Sequence, residues 1–124
     1  MKATHLRWLV DDLERMRIFY RDALGFREAT VTPTYIEYDT AGLRLGLFKR
    51  EQMEAVSGYR MNTSNSDSVL GVYCQDVDAE YRRLVTAGLE FLNPPHDQTV
   101  WRLRIAHLRD PAGHLVELYT PIAA

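Results

Sequence analysis

Hydrophobic and polar residues change their spacing several times along the chain, and each change marks an element. Leu6, Trp8 and Val10 alternate with His5, Arg7 and Leu9, which predicts a strand over Leu6–Val10 with two unlike faces. Asp11 with Glu14 three residues on has the form of a capping box at a helix start. Leu13, Met16, Tyr20, Ala23 and Leu24 then recur at helical spacing, and Gly25 stands where a helix commonly ends left-handed. Three strands are expected over Phe26–Thr32, Tyr35–Asp39 and Leu43–Phe48, with Pro33 and Gly42 at the turns. The pattern then restarts. Val69–Cys74 reads as a strand, Asp76 caps a second helix with Val77, Tyr81, Leu84 and Val85 as its stripe, and Gly88 closes it. Leu89–Leu92, Val100–Leu108 and Leu115–Tyr119 complete the set, with Asn93-Pro94-Pro95 and Asp110-Pro111-Ala112-Gly113 as turns.

This order predicts an α+β fold of two βαβββ modules, 1–50 and 69–124, in one domain over 1–124. A linker over 51–68 joins them, its Asn62–Ser68 part entirely polar. Alternation gives each sheet one leucine- and valine-rich face to pack under a helix. Leu45 and Leu47 lie opposite Arg44, Gly46 and Phe48, and Val116 and Leu118 lie opposite Glu117 and Tyr119. The mixed faces suit a ligand cavity.

Composition narrows the function classes. With 124 residues the chain can bury one sizeable core. Net charge of −2 with interspersed signs gives no footprint for nucleic acid, and no apolar run approaches a membrane span. A single cysteine, Cys74, excludes an internal disulfide and suits a reducing compartment. It reads as a core residue in an apolar strand. Met1-Lys2-Ala3-Thr4-His5 lacks a signal peptide's apolar centre, so a cytoplasmic location is expected. There is no paired-cysteine zinc motif, phosphate-binding glycine loop or Gly-x-Ser-x-Gly elbow.

The opening His5-Leu-Arg-Trp-Leu-Val-Asp-Asp-Leu-Glu with Phe19-Tyr20-Arg-Asp-Ala-Leu-Gly25-Phe26, and the closing Asp110-Pro111-Ala-Gly113-His-Leu-Val-Glu117-Leu, resemble the two hallmarks of vicinal oxygen chelate proteins. That superfamily groups glyoxalase I, bleomycin-resistance proteins and extradiol dioxygenases. The resemblance implies a curled mixed sheet, a homodimer, and in metal-dependent members a divalent ion held from the first and last strand of each module. Carried over by position, those ligands fall on His5, Gly46, Val69 and Glu117. Gly46 and Val69 have no donor atom, so a metal site here needs a third ligand from Glu37 or His107. By alternation His107 groups with Leu103 and Ile105, which argues for packing.

Arg7, Arg44, Arg102 and Arg104 fall on strands expected to line one trough, where they could hold an anion or pair with Glu37 and Glu117. Tyr35, Phe48, Tyr73 and Tyr119 supply aromatic surface. Trp101 is expected to stack over the cavity or to stand at its rim, Met53 and Met61 to flank a lid, and His114 to be solvent-exposed. Trp8 reads as core. The leading expectation is a module that binds a small aromatic or anionic molecule. The alternatives are a metal-dependent lyase, isomerase or dioxygenase, with His5 and Glu117 as ligands and Glu117 or Glu37 moving protons, and a dimer module that has lost its chemistry.

Overall fold

A computed structural model of the protein describes residues 1–58, 60 and 68–123. The chain divides into two compact units, with the boundary between residues 63 and 64. The first contains β1 (His5–Val10), α1 (Leu13–Arg17) continued by a π-helical turn (Ile18–Ala23), β2 (Arg27–Val31), β3 (Tyr35–Asp39), β4 (Arg44–Lys49) and α2 (Arg50–Ser57). Its strands lie in the order β1-β4-β3-β2, with β1 parallel to β4 and the other pairs antiparallel. The second contains β5 (Val69–Tyr73), α3 (Val77–Thr86), β6 (His96–Gln98), β7 (Leu103–Arg109) and β8 (Leu115–Pro121). Its order, β5-β8-β7-β6, repeats the first with the same senses. These are the two expected βαβββ modules. A parallel pair cannot be joined by a hairpin, so a helix and two further strands separate its members in sequence.

The predicted apolar faces pack under the helices. Trp8, Val10, Ile36, Tyr38, Leu45 and Leu47 are buried with Leu13, Met16, Phe19 and Tyr20 in the first unit. Val77, Leu84, Ala106, Leu108, Val116 and Leu118 are buried in the second. The Tyr38 hydroxyl lies in the first core with no hydrogen-bond partner among the described residues, and burial pushes its ionisation well above the ordinary phenol value. No helix among the described residues is long and apolar enough to cross a membrane.

Several boundaries differ from expectation. The cap of α1 is Asp12, whose carboxylate accepts the Arg15 amide at 3.1 Å. Asp11 instead meets the buried Arg50 guanidinium at 3.2 Å, and Arg50 also donates to the Leu9 carbonyl. Phe19 joins Tyr20 in the core although they are sequence neighbours, because the wider π turn rotates the apolar stripe. In α3, Val85 is exposed rather than part of the buried stripe.

Leu89–Leu92 forms no strand. Phe91 makes a single bridge to Leu108, and the pairing strand is β6, beyond the two prolines. Its residues, His-Asp-Gln, lack apolar alternation because it is a short edge strand. β7 begins at Leu103, since residues 99–102 turn and Arg102 takes φ 55°. The stretch expected as linker begins with helix α2, which ends at Gly58 with φ 69°. Met61 and Asn62–Asp67 lie outside the described residues.

Candidate functional site

Each unit has one sheet face turned away from its helix, and the strand registers state which residues share it. In the first unit His5 and Arg7 on β1 stand beside Arg44 and Gly46 on β4, and Leu9 beside Phe48. Across β4, Gly46 faces Glu37 and Phe48 faces Tyr35. Glu37 is the hub. Its Oε1 accepts the Tyr35 hydroxyl at 2.7 Å and lies 3.2 Å from His5 Nε2, and its Oε2 accepts Arg44 Nη1 at 3.1 Å.

The Tyr35 hydroxyl also accepts Arg7 Nε at 3.1 Å, and the Arg7 guanidinium carbon sits 5.6 Å from the Tyr35 ring centre. The Tyr35 and Phe48 rings are 5.3 Å apart. Tyr35 lies across the place a side chain at Gly46 would occupy: a Cβ there would stand 2.5 Å from its hydroxyl. The missing donor at Gly46 thus makes room for a ring.

The Tyr35 hydroxyl bond, with Arg44 and His5 adding to it, holds the Glu37 carboxyl below the ordinary carboxylate value. Burial, then the bond to Glu37, pushes the Tyr35 phenol up. A lowered carboxyl contributes stability above its unfolded value and loses it as pH falls through the folded one. Arg44→Met is therefore expected to be destabilising at pH 7 and progressively less so as the pH falls through the lowered folded value of Glu37. Urea midpoints across that fall in pH test this; a gap from wild type that does not change with pH contradicts it.

In the second unit Gly71 on β5 stands beside Glu117 on β8, and Tyr73 beside Tyr119. Glu117 faces His107 across β7, and His107 Nε2 lies 2.8 Å from Glu117 Oε2. His107 is thus the partner of Glu117, and the packing expected for it from Leu103 and Ile105 is corrected, because that face is also the face of Glu117. Asn93 holds the other side of the imidazole, with Nδ2 3.0 Å from His107 Nδ1 and Oδ1 accepting the His107 backbone N–H at 2.8 Å. Asn93 carried no spacing signal, since it reaches His107 only through the turn before β6.

Other expectations are corrected. Arg104 lies on the helix side of the sheet, where Asp78 of α3 accepts Nε at 2.7 Å and Asp97 accepts Nη1 at 2.9 Å. Arg104 holds the Asp78 carboxyl below its ordinary value. Arg102 is in the turn before β7, not on a strand, and Trp101 is exposed in the same turn. His114 is buried, with Nδ1 2.7 Å from Asp110 Oδ2. Cys74 is half-buried, and burial pushes its thiol up.

A resident metal does not fit either unit taken by itself. The first offers His5 and Glu37, with both carboxylate oxygens already accepting from Tyr35 and Arg44, and the second offers His107 and Glu117. Among the described residues no three His, Cys, Asp or Glu side chains gather as a metal site requires. Two concavities lie elsewhere, about 800 Å³ at the start of α3 and about 660 Å³ at the start of α1. Both are on the helix side, and the first is lined by the ion-paired Asp78, Asp97 and Arg104.

Comparison with known proteins agrees with this architecture. The chain is 32% identical to YraH of Bacillus subtilis (strain 168), described as an uncharacterized protein, over 96% of this chain and 98% of that one. A glyoxalase/bleomycin resistance protein/dioxygenase family enzyme from Burkholderia phytofirmans PsJN superposes with TM-score 0.84 at 20% identity, covering 98% of this chain and all of that one. A glyoxalase/bleomycin resistance protein/dioxygenase from Nocardioides gives 0.83 at 23% identity, covering all of this chain and 85% of that one. Lactoylglutathione lyase from Agrobacterium tumefaciens gives 0.75 at 21% identity, over 95% and 92% of the two chains. At these identities the structures establish the fold. The family model matches residues 2–118, and the chain belongs to the Glyoxalase/Bleomycin resistance protein/Dioxygenase superfamily.

Proposed function

We propose that the protein is a small-molecule binding module, and that the helix-free face of its first unit holds an aromatic, anionic organic molecule. The observation that carries this reading is Arg7. Its Nε donates to Tyr35, while neither Nη has a protein partner among the described residues, and the side chain is exposed beside the Tyr35–Phe48 ring pair. A guanidinium edge offers two parallel donors to a carboxylate, and adjacent rings offer apolar surface to an aromatic body. His5 and Arg44 are the second line of positive or donating groups, both turned to Glu37. In this reading the molecule is held rather than converted.

Benzoate is the simplest probe of that chemistry. Titration followed by NMR is expected to shift Arg7 and Phe48 resonances saturably. Arg7→Met should weaken binding by roughly 10- to 100-fold, the size of a charge-assisted pair worth about 1.5–3 kcal/mol. If benzoate moves neither residue, or Arg7→Met binds it as tightly as wild type, the reading fails.

A further inference from the structure

We infer that the helix-free face of the second unit carries a separate subsite, a notch over Gly71 between Glu117 and Tyr119, that takes an organic ammonium group. It goes beyond the reading of the first unit and rests on three features of the second.

The orientation of the Asn93 amide follows from its partners. Its Oδ1 accepts the backbone N–H of His107, which turns Nδ2 toward His107 Nδ1. An amide nitrogen only donates, so Nδ1 must accept. The ring proton then sits on Nε2 and is donated to Glu117 Oε2. One carboxylate oxygen is thereby tied down, and the carboxylate cannot turn freely. The other, Oε1, has no protein partner among the described residues. His107 acts as a positioning residue for that oxygen, and Asn93 selects its tautomer.

Gly71 stands beside Glu117 in the parallel register, so its missing side chain leaves a gap on the same face. A Cβ there would meet only Tyr119 Cε1, at 3.9 Å. Gly46 in the first unit differs, because Tyr35 fills its gap. The gap at Gly46 on β4 is closed, and the gap at Gly71 on β5 is open.

Tyr119 and Tyr73 border the gap, with ring centres 5.9 Å apart and nearly perpendicular planes. A fixed carboxylate oxygen next to aromatic rings suits a small cation with N–H donors, through a charge-assisted hydrogen bond and ring attraction. The other cationic side chain in register on this face, Arg109, donates to the Gly113 carbonyl at the turn, and His96 Nδ1 lies 2.9 Å from the Pro94 carbonyl. Among the described residues neither side chain bonds to Glu117.

Benzylamine is the probe, with EDTA present so that no divalent ion competes. Titrating the full chain by NMR is expected to shift the Glu117 side-chain carboxyl carbon and the Tyr119 ring saturably, while equal benzoate leaves both unmoved. The ring nitrogens of His107 should show a proton on Nε2 and none on Nδ1. Gly71→Val fills the gap and should lower benzylamine affinity at least tenfold. Glu117→Gln, which keeps the shape and removes the charge, should do the same. The proposal is overturned if benzylamine leaves Glu117 unmoved, if Glu117→Gln binds it undiminished, or if the His107 proton resides on Nδ1. Failure here with benzoate still shifting Arg7 would leave the first unit's reading standing. The reverse result would sink that reading and keep this one.

Discussion

An Asp110→Ala protein is expected to be less stable than wild type by about 3–5 kcal/mol, the usual cost of removing one partner from a buried pair. Asp110 Oδ1 accepts the backbone N–H groups of Ala112 and His114 at 2.9 Å each, and Oδ2 takes His114 Nδ1 at 2.7 Å. The two side chains are 0% and 2% exposed, so water does not replace what is lost. These bonds shape the turn that joins β7 to β8, the strands carrying His107 and Glu117. Domains of this size are stable by only about 5–15 kcal/mol, so the variant should melt well below wild type. Asp110→Asn keeps an acceptor for the backbone amides and should be damaged less. Urea unfolding of the three proteins checks this, and a loss below about 1 kcal/mol for Asp110→Ala would contradict it.

Gly46→Ala is expected to cost about 2–3 kcal/mol, whereas Gly71→Ala is expected to cost under about 1 kcal/mol. A methyl at Gly46 would collide with the Tyr35 ring, and the ring can yield only by breaking its bonds to Glu37 and Arg7. Each bond is worth about 1 kcal/mol net, and the remaining overpacking costs a similar amount. At Gly71 the added methyl meets an ordinary contact distance. Paired urea titrations, with the Tyr35 ring resonances as a local report, test the asymmetry. Equal losses at the two glycines would show that the first gap is not closed by Tyr35.

Much of this architecture is legible before any coordinates. Period-two alternation in His5–Val10 and Leu115–Tyr119 places His5, Arg7, Glu117 and Tyr119 on the helix-free faces, because side chains on a strand have no other choice. Asp76 as a cap and Gly25 and Gly88 as left-handed stops follow from local hydrogen bonding and sterics. The polar edge strand β6 was not legible, since a short strand with an unpaired edge needs no apolar pattern. Arg104 was misplaced because both faces of β7 mix apolar and polar residues, and only the pairing of Ala106 and Leu108 with the buried Leu118 and Val116 shows that Arg104 shares the sheet's helix side.

The chain's own residue order therefore determined the two modules and their helix-facing cores, both consequences of local periodicity and side-chain chemistry. Tertiary structure alone decided that Glu37 is the hub of the first face, that His107 is locked by Asn93 onto Glu117, and that one glycine gap is filled while the other is open. Those pairings join residues on different strands and turns, and only the register of hydrogen-bonded neighbours selects which side chains meet.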